Sequence, residues 1–268
     1  PDIEKSLEKI CDRISLPLDL DLDEICSLFD KEEFLQEHGL ESFQNYFLIK
    51  DVFSRLIFSD KYEAIFKEPY SEKKSCQWET YISNLVKLVE SKNNKMAFVR
   101  NQAREEIINT YSRNKDKSIF IIEAPTGIGK TFSALQLALK ICHDKNKKRI
   151  INALPMTSII DQTHEEYNLI LERDELLKFH HLTHSKNYIS PDNEEQNEKE
   201  SSSNQQNDFI AMSWSSDMVI VTTFNQLLNI FYSNKNRDLV KFWTIQNSVI
   251  ILDEIQAIPR ILIQDLAK

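Results

Sequence analysis

The run Ala124-Pro125-Thr126-Gly127-Ile128-Gly129-Lys130-Thr131 combines residue types that together bind phosphate. Only three glycines occur in 268 residues, and two of them, Gly127 and Gly129, stand here. Glycine lets a backbone curl until successive N–H groups converge on one anion. A helical pattern, TFSALQLALKI, follows at once, so a helix N-terminus adds partial positive charge to the same spot. Lys130 is placed to reach β- and γ-phosphates, and Thr131 to offer its hydroxyl to Mg²⁺. The apolar run SIFIIEA comes immediately before. Strand, loop and helix in that order make a P-loop, with Ala124 at its first position. Its expected ATP contacts are Thr126, Gly127, Ile128, Gly129, Lys130 and Thr131. A plain strand-to-helix turn would leave the Gly-Lys-Thr ending unexplained.

Phosphate chemistry needs an acidic counterpart, and SVIILDEIQAIPR supplies one. Its apolar residues read as a buried strand, with Asp253 and Glu254 at the carboxyl end, where parallel sheets bind ligands. Asp253 is the expected Mg²⁺ holder and Glu254 the group that orients or deprotonates an attacking water. An acidic strand end merely facing solvent is the competing reading. The P-loop upstream argues against it.

These groups must be positioned by a sheet. Four short β-rich runs appear after residue 96: SIFIIEA, RIINALP, DMVIVTT and SVIILDE. Each is followed by a helical pattern, which predicts an α/β fold with a parallel sheet over 96–268. The helical run FQNYFLIKDVFSRLIFSDKYEAIF lies in an all-α region, 1–70. Residues 71–95 read as a linker holding one amphipathic helix, TYISNLVKLVE. The polar stretch 190–208 has nothing to bury and reads as a mobile insertion.

Net charge is −9, which argues against a generic basic nucleic-acid binder. Most of the imbalance sits in residues 1–40, with twelve acidic and four basic residues. A protein that grips nucleic acid through backbone amides and a local groove need not be basic overall. Cys11, Cys26, Cys76 and Cys142 form no close pair and read as reduced thiols of a cytosolic protein. His180 and His184 could share a helix face, but no acidic ligand is suitably spaced, so a metal site there is not expected. No membrane-spanning run is present.

The word Asp253-Glu254-Ile255-Gln256 resembles superfamily 2 helicases, whose motor has two RecA-like domains. NALPMTSIIDQ is similar to the loop by which that superfamily touches nucleic-acid phosphates, which implies contacts at Pro155, Thr157 and Ser158. VIVTTFNQLL is similar to a second such loop, which implies Thr222 and Thr223, although helix capping would also suit these hydroxyls. RNQAREEI resembles the adenine-reading motif and implies Gln102, with a surface glutamine as the alternative. Taken together, NALPMTSIIDQT, VTTFNQLLN and ILDEIQAIPR resemble the CRISPR-associated helicase-nuclease of type I systems. The resemblance implies a first RecA-like domain preceded by the closing helices of an HD nuclease domain. It also implies single-stranded DNA and an RNA-guided surveillance complex as partners, ATP and Mg²⁺ as cofactors, and a transition metal in the complete nuclease site. FSRLIFSDKYEA is similar to the stretch holding the last metal-ligand aspartate, which implies Asp60, with a helix-surface aspartate beside Lys61 as the alternative. His38 is the sole histidine ahead of the P-loop, so the other nuclease ligands are expected upstream of Pro1 and the second RecA-like domain beyond Lys268. The competing functions are another superfamily 2 motor, acting on RNA or chromatin, and a non-catalytic ATP-binding recruitment module.

Overall fold

A computed structural model describes residues 43–71, 77–91, 96–172, 175–179, 198–215 and 218–257. The main elements are α1 (Phe43–Phe66), α2 (Trp78–Ser91), α3 (Ala97–Arg113), α4 (Lys130–Lys145), β1 (Arg149–Leu154), α5 (Thr157–Tyr167), β2 (Leu176–Phe179), α6 (Glu198–Ser213), β3 (Val219–Thr223), α7 (Phe224–Tyr232) and β4 (Ser248–Leu252). The chain divides into two compact units. The fold is α/β, with a helical region ahead of a parallel sheet.

The larger unit contains the sheet, in the order β2-β3-β1-β4, with every neighbouring pair parallel. β1 and β3 are buried along their full lengths, as expected for central strands of β-branched residues covered on both faces. β4 is only half-buried and Ile250 is exposed, so β4 is an edge among the described residues. One face of the sheet presents Ile150, Leu154, Val219 and Val221. Against it lie Trp78, Tyr81, Leu85 and Val89 of α2 and Leu135, Ala138, Leu139 and Cys142 of α4. Both sets recur every three or four residues, the spacing that brings side chains onto one helix face. Each fully buried leucine contributes about 1.5–3 kcal/mol. The helix expected inside a linker is thus part of the sheet's own core.

The smaller unit comprises the described residues of 43–71, 201–213 and 230–243. Phe58 of α1 meets the rings of Trp243 at 4.7 Å and Phe209 at 5.7 Å. The buried Ser54 hydroxyl donates to Leu239 O and accepts from the Trp243 N–H. Lys50 donates to Phe231 O and Ser233 O, and burial, opposed by Asp238, lowers its pKa to about 8.

Two predicted segments differ from what the structure holds. Residues 118–124 form no strand. Ile119 and Ile121 are 78% and 82% exposed, and no backbone hydrogen bond from 118–125 reaches another described residue. β propensity is expressed only when a ladder partner is present, and the described sheet ends at β4. The stretch 190–208 also departs from expectation, since α6 begins at Glu198. Phe209, just beyond that stretch, is buried and gives the helix an apolar anchor that the polar residues lack. Residues 190–197 lie outside the described residues, as do His180 and His184.

Backbone hydrogen exchange provides a direct check. The amides of residues 150–153 and 219–222 are expected to exchange slowest in the chain, and those of 119–123 close to unprotected rates. Equal protection of the two groups would contradict this placement of residues 118–124.

Candidate functional site

The loop before α4 owes its shape to its two glycines. Gly127 has φ +81° and Gly129 φ +88°, both in the left-handed region. Room is not the reason for glycine at Gly127: a Cβ there would meet nothing within 4 Å. The constraint is the backbone angle, which costs other residues about 1–2 kcal/mol. Gly129 is the N-cap of α4, and no side chain caps this helix start. The amides of the first turn therefore have no intrahelical acceptor. One turn in, Ser133 donates both its N–H and its hydroxyl to Gly129 O. Curled glycines and open amides at one helix start fit an anion. Lys130 and Thr131 begin the helix at that point, and both are partly exposed.

The acidic pair arrives from the sheet. Parallel pairing of β4 with β1 carries Asp253 to the strand's carboxyl end, where its N–H donates to Ala153 O at 3.1 Å. Lys130 Nζ then stands 3.6 Å from Glu254 Oε1. Burial and the neighbouring Glu254 charge raise the Asp253 pKa, against the pull of Lys130. Adjacent carboxylates of this kind gain from a cation between or beside them. Hard oxygen donors without soft ligands suit Mg²⁺, which takes one or two carboxylates and completes its shell from phosphates and water. Glu254 itself has φ +56°, an unusual backbone angle for a side chain of its size. Its Oε2 accepts a short hydrogen bond from Gln256 Nε2.

The remaining expected residues divide. Pro155, Thr157 and Ser158 follow β1 at the same carboxyl end of the sheet, with Ser158 exposed in the first turn of α5. Gln102 is exposed on α3. Thr222 is fully buried and its hydroxyl donates to Phe179 O at 2.9 Å, which takes it out of reach of a ligand. Thr223 Oγ1 accepts from the Gln226 N–H at 3.2 Å, the capping role noted as its alternative. Asp60 is exposed on α1, the placement of its helix-surface alternative. No group of three or more His, Cys, Asp or Glu forms a metal cluster among the described residues. The chain's one adjacent His-Asp pair, His143-Asp144, lies at the far end of α4, where Lys115 and Lys140 engage Asp144 at 2.6 and 2.9 Å.

Sequence reasoning missed three contributors. Arg100 of α3 donates Nε to Gly127 O at 2.9 Å, across 27 positions that no local pattern bridges. Gln256 was legible only as a letter of a motif, without its contact to Glu254. Buried Asn152 donates Nδ2 to Tyr167 OH at 2.8 Å, and Tyr167 lies close enough to Asp253 for that charge to raise its phenol pKa further, after burial itself. A polar Asn amid the β-branched residues of β1 was the available signal.

A parallel α/β unit with a glycine-curled loop at a helix start and an Asp-Glu pair at a strand end defines a P-loop nucleotide-binding domain of the helicase type. Residues 94–258 match the family described as the res subunit of type III restriction enzymes, and the chain belongs to that family. It is also similar to the CRISPR-associated nuclease/helicase Cas3 of Haloferax volcanii, at 34% identity over 53% of this chain and 16% of that protein. The match therefore spans about a sixth of that relative's length. The chain is a Cas3-like superfamily 2 helicase segment. No described helix is long and apolar enough to cross a membrane.

The strained carboxylate yields a stability test. Glu254→Gly relieves the left-handed backbone whereas Glu254→Ala does not. The Gly variant is expected to be more stable by about 1 kcal/mol, even after its greater unfolded-state entropy. Denaturant titration of the two variants measures the difference. A Gly variant no more stable than the Ala variant would mean that residue 254 is not held in that conformation.

Proposed function

We propose that this chain is the ATP-binding part of a DNA helicase or translocase within a type I CRISPR helicase-nuclease, acting in defence against foreign DNA. The 3.6 Å approach of Lys130 to Glu254 carries the reading, because it makes one site of the loop and the strand end. The amides of Thr126 to Thr131 cradle the phosphates, and the Lys130 ammonium compensates the charge that develops as the terminal phosphoryl leaves. Thr131 and Asp253 would hold Mg²⁺, which would supply positive charge to offset that of the phosphates. Glu254 orients the attacking water and accepts its proton, with Gln256 steering the carboxylate through its hydrogen bond. Gln102 reads adenine from α3.

Pro155, Thr157 and Ser158 are the proposed contacts to the phosphates of single-stranded DNA. Their place at the carboxyl end of the sheet supports this, since a strand bound there would sense the state of the nucleotide site. Thr222 and Thr223 are left out of that surface because their hydroxyls have internal partners. An RNA-guided surveillance complex is the proposed recruiting partner. In domain terms, 96–268 is the first RecA-like domain and 1–70 the tail of an HD nuclease domain. Asp60, being exposed, is not assigned to nuclease chemistry.

Turnover of ATP by the intact protein, with saturating single-stranded DNA, tests the assignment. Lys130→Ala is expected to lower it by about 10²–10³-fold. Glu254→Gln should retain ATP affinity while losing hydrolysis, because an amide cannot take the water's proton. Asp253→Asn should instead weaken Mg²⁺-dependent binding. Stimulation by single-stranded RNA but not DNA would favour an RNA motor, and binding without turnover in the unaltered protein would favour a recruitment module. Wild-type turnover by Lys130→Ala would overturn the reading of the loop.

A further inference from the structure

Arg100 belongs to no part of the assignment above, yet it is the side chain that reaches across to the glycine loop. Its Nε donates to Gly127 O at 2.9 Å from the first turn of α3. Its Cδ lies 4.0 Å from where a Cβ on Gly129 would stand, so the stem runs alongside both glycines. Its terminal nitrogens make no hydrogen bond or ion pair with another described residue. Arg104, one turn on, donates to Asn101 Oδ1 and so does not compete for the loop.

The geometry points to Arg100 as a positioning residue that holds the phosphate loop in its receiving shape, a proposal that rests on the nucleotide-binding reading of that loop. The reason is the planarity of the peptide. In a trans peptide the C=O and the following N–H point in opposite directions. Fixing Gly127 O against Arg100 therefore aims the Ile128 N–H away from that guanidinium. Without a partner, this peptide is freer to flip than most, since Gly127 on its amino side has no Cβ to oppose rotation and only Ile128 restrains it. A flipped peptide would present a carbonyl oxygen to an incoming phosphate. The guanidinium supplies a charge-assisted donor, about twice as strong as a neutral one, and its planar fork is stiffer than an ammonium on a flexible stem. Arg100 thus sets the loop before ligand arrives, so that less ordering is left for binding to accomplish.

Such a role acts on binding more than on the chemical step. In the intact protein with saturating single-stranded DNA, Arg100→Ala is expected to raise the KM for ATP by roughly tenfold, the effect of losing one charge-assisted hydrogen bond. Its kcat should stay within about threefold of the unaltered protein, because the loop closes correctly once ATP is saturating. Arg100→Lys keeps a donor within reach of Gly127 O and should recover part of the KM. The thermal midpoints of both variants report folding, and Arg100→Lys serves if Arg100→Ala is unstable. Lys130→Ala in parallel separates the two failures. If Lys130→Ala turns ATP over normally, the loop does not bind phosphate at all. If Lys130→Ala is inactive but Arg100→Ala keeps the native KM, or loses kcat with KM unchanged, the positioning role is overturned. Equal KM values for Arg100→Lys and Arg100→Ala would also overturn it.

Discussion

The parallel ladder between β1 and β4 is the constraint on which the site depends. It sets Arg149 opposite Ser248 and Ala153 opposite Leu252, so both strands deliver their carboxyl ends to the same edge. α4 runs back across the sheet from that edge, and its buried stripe of Leu135, Leu139 and Cys142 fixes where its amino end falls. Lys130 and Glu254 meet because these two packing results agree, although 124 positions separate them. A slip of one residue in β4 would exchange its two faces and bury what now points outward. Val249 to Leu252 are apolar at four successive positions, so the ladder with β1 rather than any alternation sets the register of the carboxylates.

Three of the seven positive-φ residues among those described belong to the same site. Gly127, Gly129 and Glu254 all have positive φ, and they surround Lys130 in space. The glycines carry their angles at little steric cost. Glu254 does not, and local preference alone would not put a glutamate there. What holds it is its surroundings: a ladder ending at Leu252, the Asp253 N–H bonded to Ala153 O, and the short helix Ile255–Ala257 that follows. Tertiary structure overrides propensity at this residue, which is the pattern expected where geometry serves chemistry.

Much of this was legible from the residues alone, for reasons that differ by element. α1 and α4 have clear three- and four-residue periodicity, and β1, β3 and β4 are dense in Ile and Val, so type and approximate position were readable. β2 was not, since Leu176–Phe179 is four residues long and includes a lysine. The P-loop and the acidic pair were legible because their chemistry demands particular residues in a fixed order. The settings of Thr222 and Asp60 were not legible for a shared reason: burial depends on which neighbours a fold brings, and a hydroxyl or carboxylate reads the same in either setting. Arg100 was invisible because its partner is a backbone carbonyl, which leaves no mark in sequence.

The run SIFIIEA shows where local reading stops being sufficient. Its composition is that of a strand, yet its backbone has no ladder among the described residues, so no described strand holds the P-loop from behind. Side chains do so instead, and they come from the helices on either side. Lys145 of α4 donates to Lys117 O at 2.9 Å, and Lys115 pairs with Asp144 at the same end. Tyr111 of α3 meets the Phe120 ring edge-on at 5.5 Å. Arg100 closes the other end at Gly127 O. Each contact is individually modest, and the charged ones are partly exposed, so solvent screens them. A loop fixed by a few such points, with no hydrogen-bonded strand behind it among the described residues, has its conformation set by its two ends. That makes the Arg100 contact weigh more here than the same hydrogen bond would on a loop already locked into a sheet.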